Sequence, residues 1–101
     1  MIKVTYSMED DHYTYLSVKG HANSDEHGKD LICASVTSIM WGLMNALDNT
    51  KQDVEITEQN NHIEIINKSK SETIDNYFEL TMFQLKTIEE SFGKFIKVER
   101  K

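Results

Sequence analysis

The chain has a single cysteine, no low-complexity tract and fewer bases than acids, and no run in it approaches the roughly 20 apolar residues needed to cross a bilayer. Each shortage excludes something. One cysteine rules out an internal disulfide, so nothing staples the fold and no oxidising compartment is implied. The N-terminus alternates like a strand where a signal peptide would show a charged segment and then an apolar one. A cytoplasmic location and no membrane partner are therefore expected. Eleven Lys and Arg against 17 Asp and Glu leave a formal charge of -6, which opposes generic attraction to phosphate backbones or anionic lipid. No direct nucleic-acid partner is expected, and a basic partner suits the charge better. With 101 residues and no linker, residues 1–101 read as one domain with one core.

What is present is strongly patterned. Ile2, Val4, Tyr6 and Met8 alternate with Lys3, Thr5 and Ser7, and after the acidic turn Glu9-Asp10-Asp11-His12 a second segment sets Leu16 and Val18 on one face, with Tyr13 and Tyr15 on the other. This is a β-hairpin with one buried side. Val54, Ile56, the turn Gln59-Asn60-Asn61, Ile63 and Ile65 make a second hairpin. From Leu31 to about Asn49, residues Ile32, Val36, Ile39, Met40, Leu43 and Leu47 recur at helical spacing, with Asp30 as a good N-cap. Ala34, Trp41, Met44 and Ala46 lie off that stripe, so the helix is apolar over more than one contact needs, and cover by the other helix and by a second copy of the chain is expected.

Ser69 and Glu72 have the spacing of a capping box ahead of Ile74, Phe78, Thr81, Leu85, Ile88 and Phe92. Gly93 stops this second helix, and Ile96 and Val98 resume a strand. The order β-β-α-β-β-α-β predicts a two-layer α+β sandwich, one mixed or antiparallel sheet with two helices on one face.

Between the first hairpin and the first helix, residues 21–29 hold no apolar residue except Ala22. Loops this long in a small domain tend to be lids, binding loops or mobile, and Gly20 and Gly28 are candidate hinges for it. With Asp30 as the cap, Cys33 falls about three residues into the helix, where unpaired N–H groups and the macrodipole favour a thiolate. The N–H groups of Cys33 and Ala34 are candidate oxyanion donors on the same reading.

The candidate bases are His12, His21, His27 and His62. His21 is fixed by the strand end beside Gly20, His27 rides in mid-loop, and His12 and His62 read as solvated turn residues. Asp30 reads as a plain cap, as an orienter of His21, or as a contact for substrate backbone. Spacing alone leaves Cys33 open between a small core hydrophobe, a nucleophile and a zinc ligand with His21, His27 and Asp30, although close paired-ligand spacing is lacking.

Gly20-His21-Ala22 and, after the loop, Gly28-Lys29-Asp30-Leu31-Ile32-Cys33-Ala34 resemble the G-H-A and G-x-D-[IL]-[VI]-C-A signature of the ribosomal-processing cysteine proteases called Prp. The resemblance extends over the whole chain, to a late Thr87-Ile88-Glu89-Glu90 segment. It implies a cytosolic endopeptidase that removes the N-terminal extension of a large-subunit ribosomal protein during ribosome maturation, with Cys33 as nucleophile, His21 as base and Asp30 as the motif aspartate. It also implies a homodimer and cleavage after a pair of aromatic residues, and it calls for no metal or other cofactor. An apolar groove would be needed, for which Tyr13, Tyr15, Met40 and Trp41 are candidates. Where the family commonly has serine four residues past the cysteine, this chain has Thr37, which keeps the hydroxyl and adds a methyl. The rival reading is a non-enzymatic α+β protein that binds ribosomal components or an assembly factor, with Cys33 as core filler.

Overall fold

Both hairpins turn on residue pairs that accept the left-handed backbone a two-residue turn demands. Strand β1 (Ile2–Glu9) meets β2 (His12–Lys19) through Asp10 and Asp11, with φ of 52° and 64°. Strand β3 (Val54–Gln59) meets β4 (His62–Asn67) through Asn60 and Asn61, with φ of 25° and 63°. The computed structural model describes residues 1–20 and 29–101, the side chains of Lys29 and Asp30 excepted. Helix α1 (Lys29–Thr50) joins the hairpins, α2 (Glu72–Phe92) follows them, and β5 (Ile96–Arg100) closes the order β-β-α-β-β-α-β.

The sheet runs β3-β4-β2-β1-β5 and is mixed, because β5 lies parallel to β1 while the other three pairings are antiparallel. Register sorts its residues into rows. Ile56, Ile65, Leu16 and Tyr6 stand opposite one another, as do Glu58, Ile63, Val18, Val4 and Val98, and these rows face the helices. The alternate rows, Thr57-Glu64-Ser17-Thr5-Glu99 and Gln59-His62-Lys19-Lys3-Lys97, form the polar, helix-free face. Ile32, Val36, Met40, Leu43 and Leu47 of α1 and Ile74, Phe78, Met82 and Leu85 of α2 share one buried cluster with Ile2, Val4, Leu16, Val18, Ile65 and Ile96. Two helices on one face of a mixed sheet is the architecture the element order predicts.

Three local expectations are corrected. Tyr13 does not share a face with Tyr15: a bulge sets Ser7 opposite Tyr15 but Met8 opposite Tyr13, leaving Thr14 as the extra residue. Tyr13 is thereby turned onto the core side, its ring 5.6 Å from Phe78, while the Tyr15 hydroxyl donates to Glu64 at 2.8 Å. Burial raises the pKa of both phenols, with Glu79 adding to it at Tyr13 and the Glu64 hydrogen bond at Tyr15. The cap of α2 is Ser71, whose Oγ accepts from the Ile74 N–H at 3.3 Å, whereas Ser69 donates to Asn67 Oδ1. Helix α1 begins at Lys29, so Asp30 stands inside its first turn and not at its cap.

From Leu31 to Thr50, α1 is long and apolar enough by length and composition to cross a membrane, with a mean hydropathy of 1.3. Its apolar stripe is spent on the core described above. Met44, off the expected stripe, is buried too, while Leu31 and Trp41 stay exposed.

At the far end from Gly20, His12 is not merely solvated. Its Nδ1 lies 2.6 Å from Asp75 Oδ2, and the Tyr13 N–H donates to Asp75 Oδ1 at 3.0 Å, which ties the start of β2 to the first turn of α2. Phe78, fully buried beneath both sheet and helices, is the test of this packing. Phe78→Ala should cost about 3–5 kcal/mol in urea unfolding; a loss under about 1 kcal/mol would contradict the two-layer core.

Candidate active site

Cys33 owes its place to its neighbours in α1. Ile32 and Val36 are buried, at 3% and 4% exposure, so the helix cannot rotate about its axis without breaking the core. The thiol, one residue on from Ile32, is held half-buried at the margin of that contact. It opens on a cleft of about 190 Å³ between the start of α1 and the sheet. Ile2, Val18, Val36, Met40, Trp41 and Ile63 supply apolar walls, and Gly20, Thr37, Glu58, Asn61 and His62 the remainder. Met40 and Trp41 thus line a groove as anticipated, whereas Tyr13 and Tyr15 do not border it. Thr37 stands one helical turn beyond Cys33, with its hydroxyl-bearing side chain on the cleft.

The start of α1 changes the electrostatics expected of the thiol. With Lys29 as the first helical residue, the N–H groups without an intrahelical acceptor end at Leu31, and those of Cys33 and Ala34 fall within the i to i−4 ladder. The pair expected to act as oxyanion donors is therefore committed to the helix. Cys33 lies in the second turn, where the macrodipole has largely faded, although its Cβ leans back toward the N-terminus and carries the sulfur over the first turn.

Two of the four histidines, His12 and His62, lie among the described residues. His12 is at the opposite end of β2, paired with Asp75. His62 is among the residues that line the cleft with Cys33, and its Nε2 is 3.0 Å from Ser17 Oγ. The His12 imidazole is not placed to serve the thiol, and that of His62 is engaged with Ser17. His21 and His27 lie outside the described residues, and the Asp30 side chain does as well, so the catalytic set Cys33, His21, Asp30 is described only at Cys33 and in the backbone of Asp30. The zinc alternative shares those residues; among the described ones no three metal-ligating side chains come together.

Gly20 is fixed, not hinge-like. Its φ is +95°, its N–H donates to the Asn61 carbonyl at 3.0 Å, and a Cβ there would lie 2.5 Å from the Met1 carbonyl oxygen. Only glycine accepts both the left-handed backbone and that approach. The second proposed hinge, Gly28, is outside the described residues. The Gly20 corner follows β2 beside the cleft. Gly20→Ala should lower unfolding stability by about 1–3 kcal/mol with a loss of turnover; unchanged stability would show that the corner is not needed.

Comparison with known proteins gives this geometry a family. The family model of the cysteine protease Prp matches residues 1–97. A ribosomal processing cysteine protease Prp of Staphylococcus aureus (strain Mu50 / ATCC 700699) is 27% identical over 109 residues, covering all of both chains. The protein of the same description from Bacillus subtilis (strain 168) is 57% identical over 28 residues, 28% of this chain and 25% of that one. Among solved structures, the essential ribosomal processing protease Prp from S. aureus in complex with a substrate peptide superposes with a TM-score of 0.91 at 24% identity, with full coverage of both chains. SMU.848 from Streptococcus mutans superposes with a TM-score of 0.83 at 22% identity, covering 99% of this chain and 93% of that one. At such identities the superpositions speak for the fold alone; the family model, matched over nearly the whole length, speaks for kinship. The chain belongs to the cysteine protease Prp family.

Proposed function

We propose that this chain is a cysteine endopeptidase that removes the N-terminal extension of a large-subunit ribosomal protein during ribosome maturation in the cytosol. The observation that carries the reading is the position of Cys33, half-buried at the head of a helix and opening on an apolar cleft, in a member of a cysteine protease family. Relatives of that family are described as ribosomal processing proteases, and one has been solved with a covalently linked product peptide.

In the proposed reaction His21 takes the proton from Cys33 Sγ, and the thiolate attacks the scissile carbonyl to form the C–S bond while the carbonyl π pair moves to oxygen. The oxyanion is held by the first-turn N–H groups of α1, Lys29 to Leu31, over which Cys33 leans. Collapse breaks the C–N bond, and the His21 imidazolium protonates the leaving amine. Water, deprotonated by His21, then attacks the thioester and restores the thiol. Asp30, in the first turn beside these donors, is assigned to orienting His21 or to holding substrate backbone, since the cap position precedes it. No metal or other cofactor takes part in this scheme.

We further propose a homodimer. Tyr77, Leu80 and Phe83 of α2 and Leu31 and Trp41 of α1 are large apolar side chains left exposed, and a second copy is the cover we assign to them. Sedimentation at micromolar concentration should give the mass of two chains, and Leu80→Lys should shift it toward one; a wild-type chain sedimenting as a single copy would contradict the dimer.

The test of the activity is cleavage of a fusion bearing the ribosomal-protein extension, read by intact mass. The wild type should release one defined N-terminal peptide. Cys33→Ala should release none, and His21→Ala should be slower by about 10²–10⁴-fold. No release by well-folded wild type would favour the binding-protein reading.

A further inference from the structure

An open sheet of five strands has two free edges, β3 and β5, and this chain treats them differently. On β5 the Phe95 carbonyl accepts from the Ile2 N–H at 2.8 Å, and the Lys101 N–H donates to the Tyr6 carbonyl at 2.7 Å. Odd-numbered residues of β5 thus turn their backbone groups toward β1, and even-numbered ones turn theirs outward. The outward N–H of Val98 is covered, since it donates at 2.7 Å to Glu89 Oε2, brought over from α2. A side chain blunts that edge.

On β3 the parity follows from bonds that flank the ladder. The Lys68 N–H donates to the Asp53 carbonyl at 2.9 Å, in the register that pairs Val54 with Asn67 and Gln59 with His62. Bonded and non-bonded pairs alternate along an antiparallel ladder. Glu55, Thr57 and Gln59 therefore commit their backbone groups to β4, while those of Val54, Ile56 and Glu58 point away from the sheet. The Gly20 bond to the Asn61 carbonyl gives the same answer from the other side of β4, leaving Ile63 and Ile65 to β2 and His62, Glu64 and Ile66 to β3. The Val54 N–H is occupied by the Gln52 carbonyl at 2.9 Å. The N–H and C=O groups of Ile56 and Glu58 have no partner among the described residues.

No bulge or proline interrupts this edge: its register runs unbroken from Val54 to Gln59. It also ends at the cleft, because Glu58 lines the same cavity as Cys33. Four free backbone groups in line, leading to a thiol, suit an extended peptide added as a strand. A second copy of β3 would set Glu55 and Glu58 against the same acids of its partner, and like charges placed opposite one another destabilise a sheet. Backbone pairing makes no demand on side chains, so aromatic residues at the scissile bond remain free to meet the apolar walls of the cleft.

We propose that the β3 edge receives an extended segment of the substrate as a sixth strand, bonded to the backbone of Ile56 and Glu58, from which the adjoining residues pass into the cleft over Cys33. The identity of the peptide rests on the protease reading above; the edge itself rests on the ladder.

The test uses Cys33→Ala and peptides covering the ribosomal-protein extension and the residues after it, each N-methylated at one backbone amide. Methylation at two amides, two residues apart, should each weaken binding about fivefold, the net worth of one hydrogen bond, and methylation between them should be tolerated. Amide hydrogen exchange at Ile56 and Glu58 should slow when peptide is added, while Thr57, already bonded to β4, should change less. Glu58→Pro removes an N–H that β4 does not use and should weaken the unmodified peptide by a similar factor without loss of unfolding stability. The methylation and exchange series do not depend on that variant folding. Alternation in a chain that cuts nothing would sink the protease reading and leave the edge assignment standing. Cleavage of the fusion with every methylation tolerated, unchanged exchange at Ile56 and Glu58, or no peptide binding by folded Cys33→Ala would overturn the edge assignment. So would protection of those two amides that rises with chain concentration in the absence of peptide, which would give the edge to a second copy.

Discussion

Everything at the candidate site depends on the burial of one helical stripe against one face of one sheet. Ile32, Val36, Met40, Leu43 and Leu47 lock the rotation of α1, each contributing on the order of 1.5–3 kcal/mol of transfer free energy. The helix is long and apolar enough that other placements are open to it. The sheet narrows them, because only its helix-facing rows offer an apolar surface. Once the stripe is seated, Cys33 has a direction, the cleft has walls, and Glu58 has a side of the sheet on which to stand.

The sheet does its part through parity. A residue's face follows from its row, and the rows run unbroken from β3 to β5 at the end of the sheet nearest the cleft. That parity pairs His62 with Ser17, the imidazole Nε2 lying 3.0 Å from the Ser17 hydroxyl. It also separates chemistry from scaffold. The helix-free face carries Lys3, Lys19, Lys97 and Glu99, side chains that need only water, whereas the cleft end of the helix-facing side carries the thiol and one unpaired acid.

Period-two alternation and the three-and-four helical spacing were enough to read seven elements in order, because the residues obeying them are those buried in the one core. What escaped was local and had physical causes. The bulge at Thr14 leaves no mark in composition, so strict alternation put Tyr13 on the wrong face. Ser69 and Ser71 are equally good caps on paper; Asn67 engages the first and leaves the second to cap the helix. Asp30 as a cap was too late, since Lys29 before it is already helical, which puts the Cys33 N–H in the helical ladder and out of the set of oxyanion donors. At the site, Cys33 was legible only through its motif, since a lone cysteine at the start of an apolar helix is more often core filler than a nucleophile. Glu58 was not legible at all: its place in the cleft is made by pairing between strands β3, β4 and β2, which no local pattern announces.

The central claim is that Cys33 is a nucleophile presented to an extended peptide, and not a half-buried filler. The most direct measurement is active-site titration with a peptide ending in the residue before the cut and carrying a chloromethyl ketone, followed by intact mass and peptide mapping. The account predicts one adduct per chain, on Cys33, formed faster than with a scrambled peptide ketone and abolished in His21→Ala. A thiol that reacts no faster with the matched ketone than with the scrambled one, or that is protected from both in the folded chain, would contradict it.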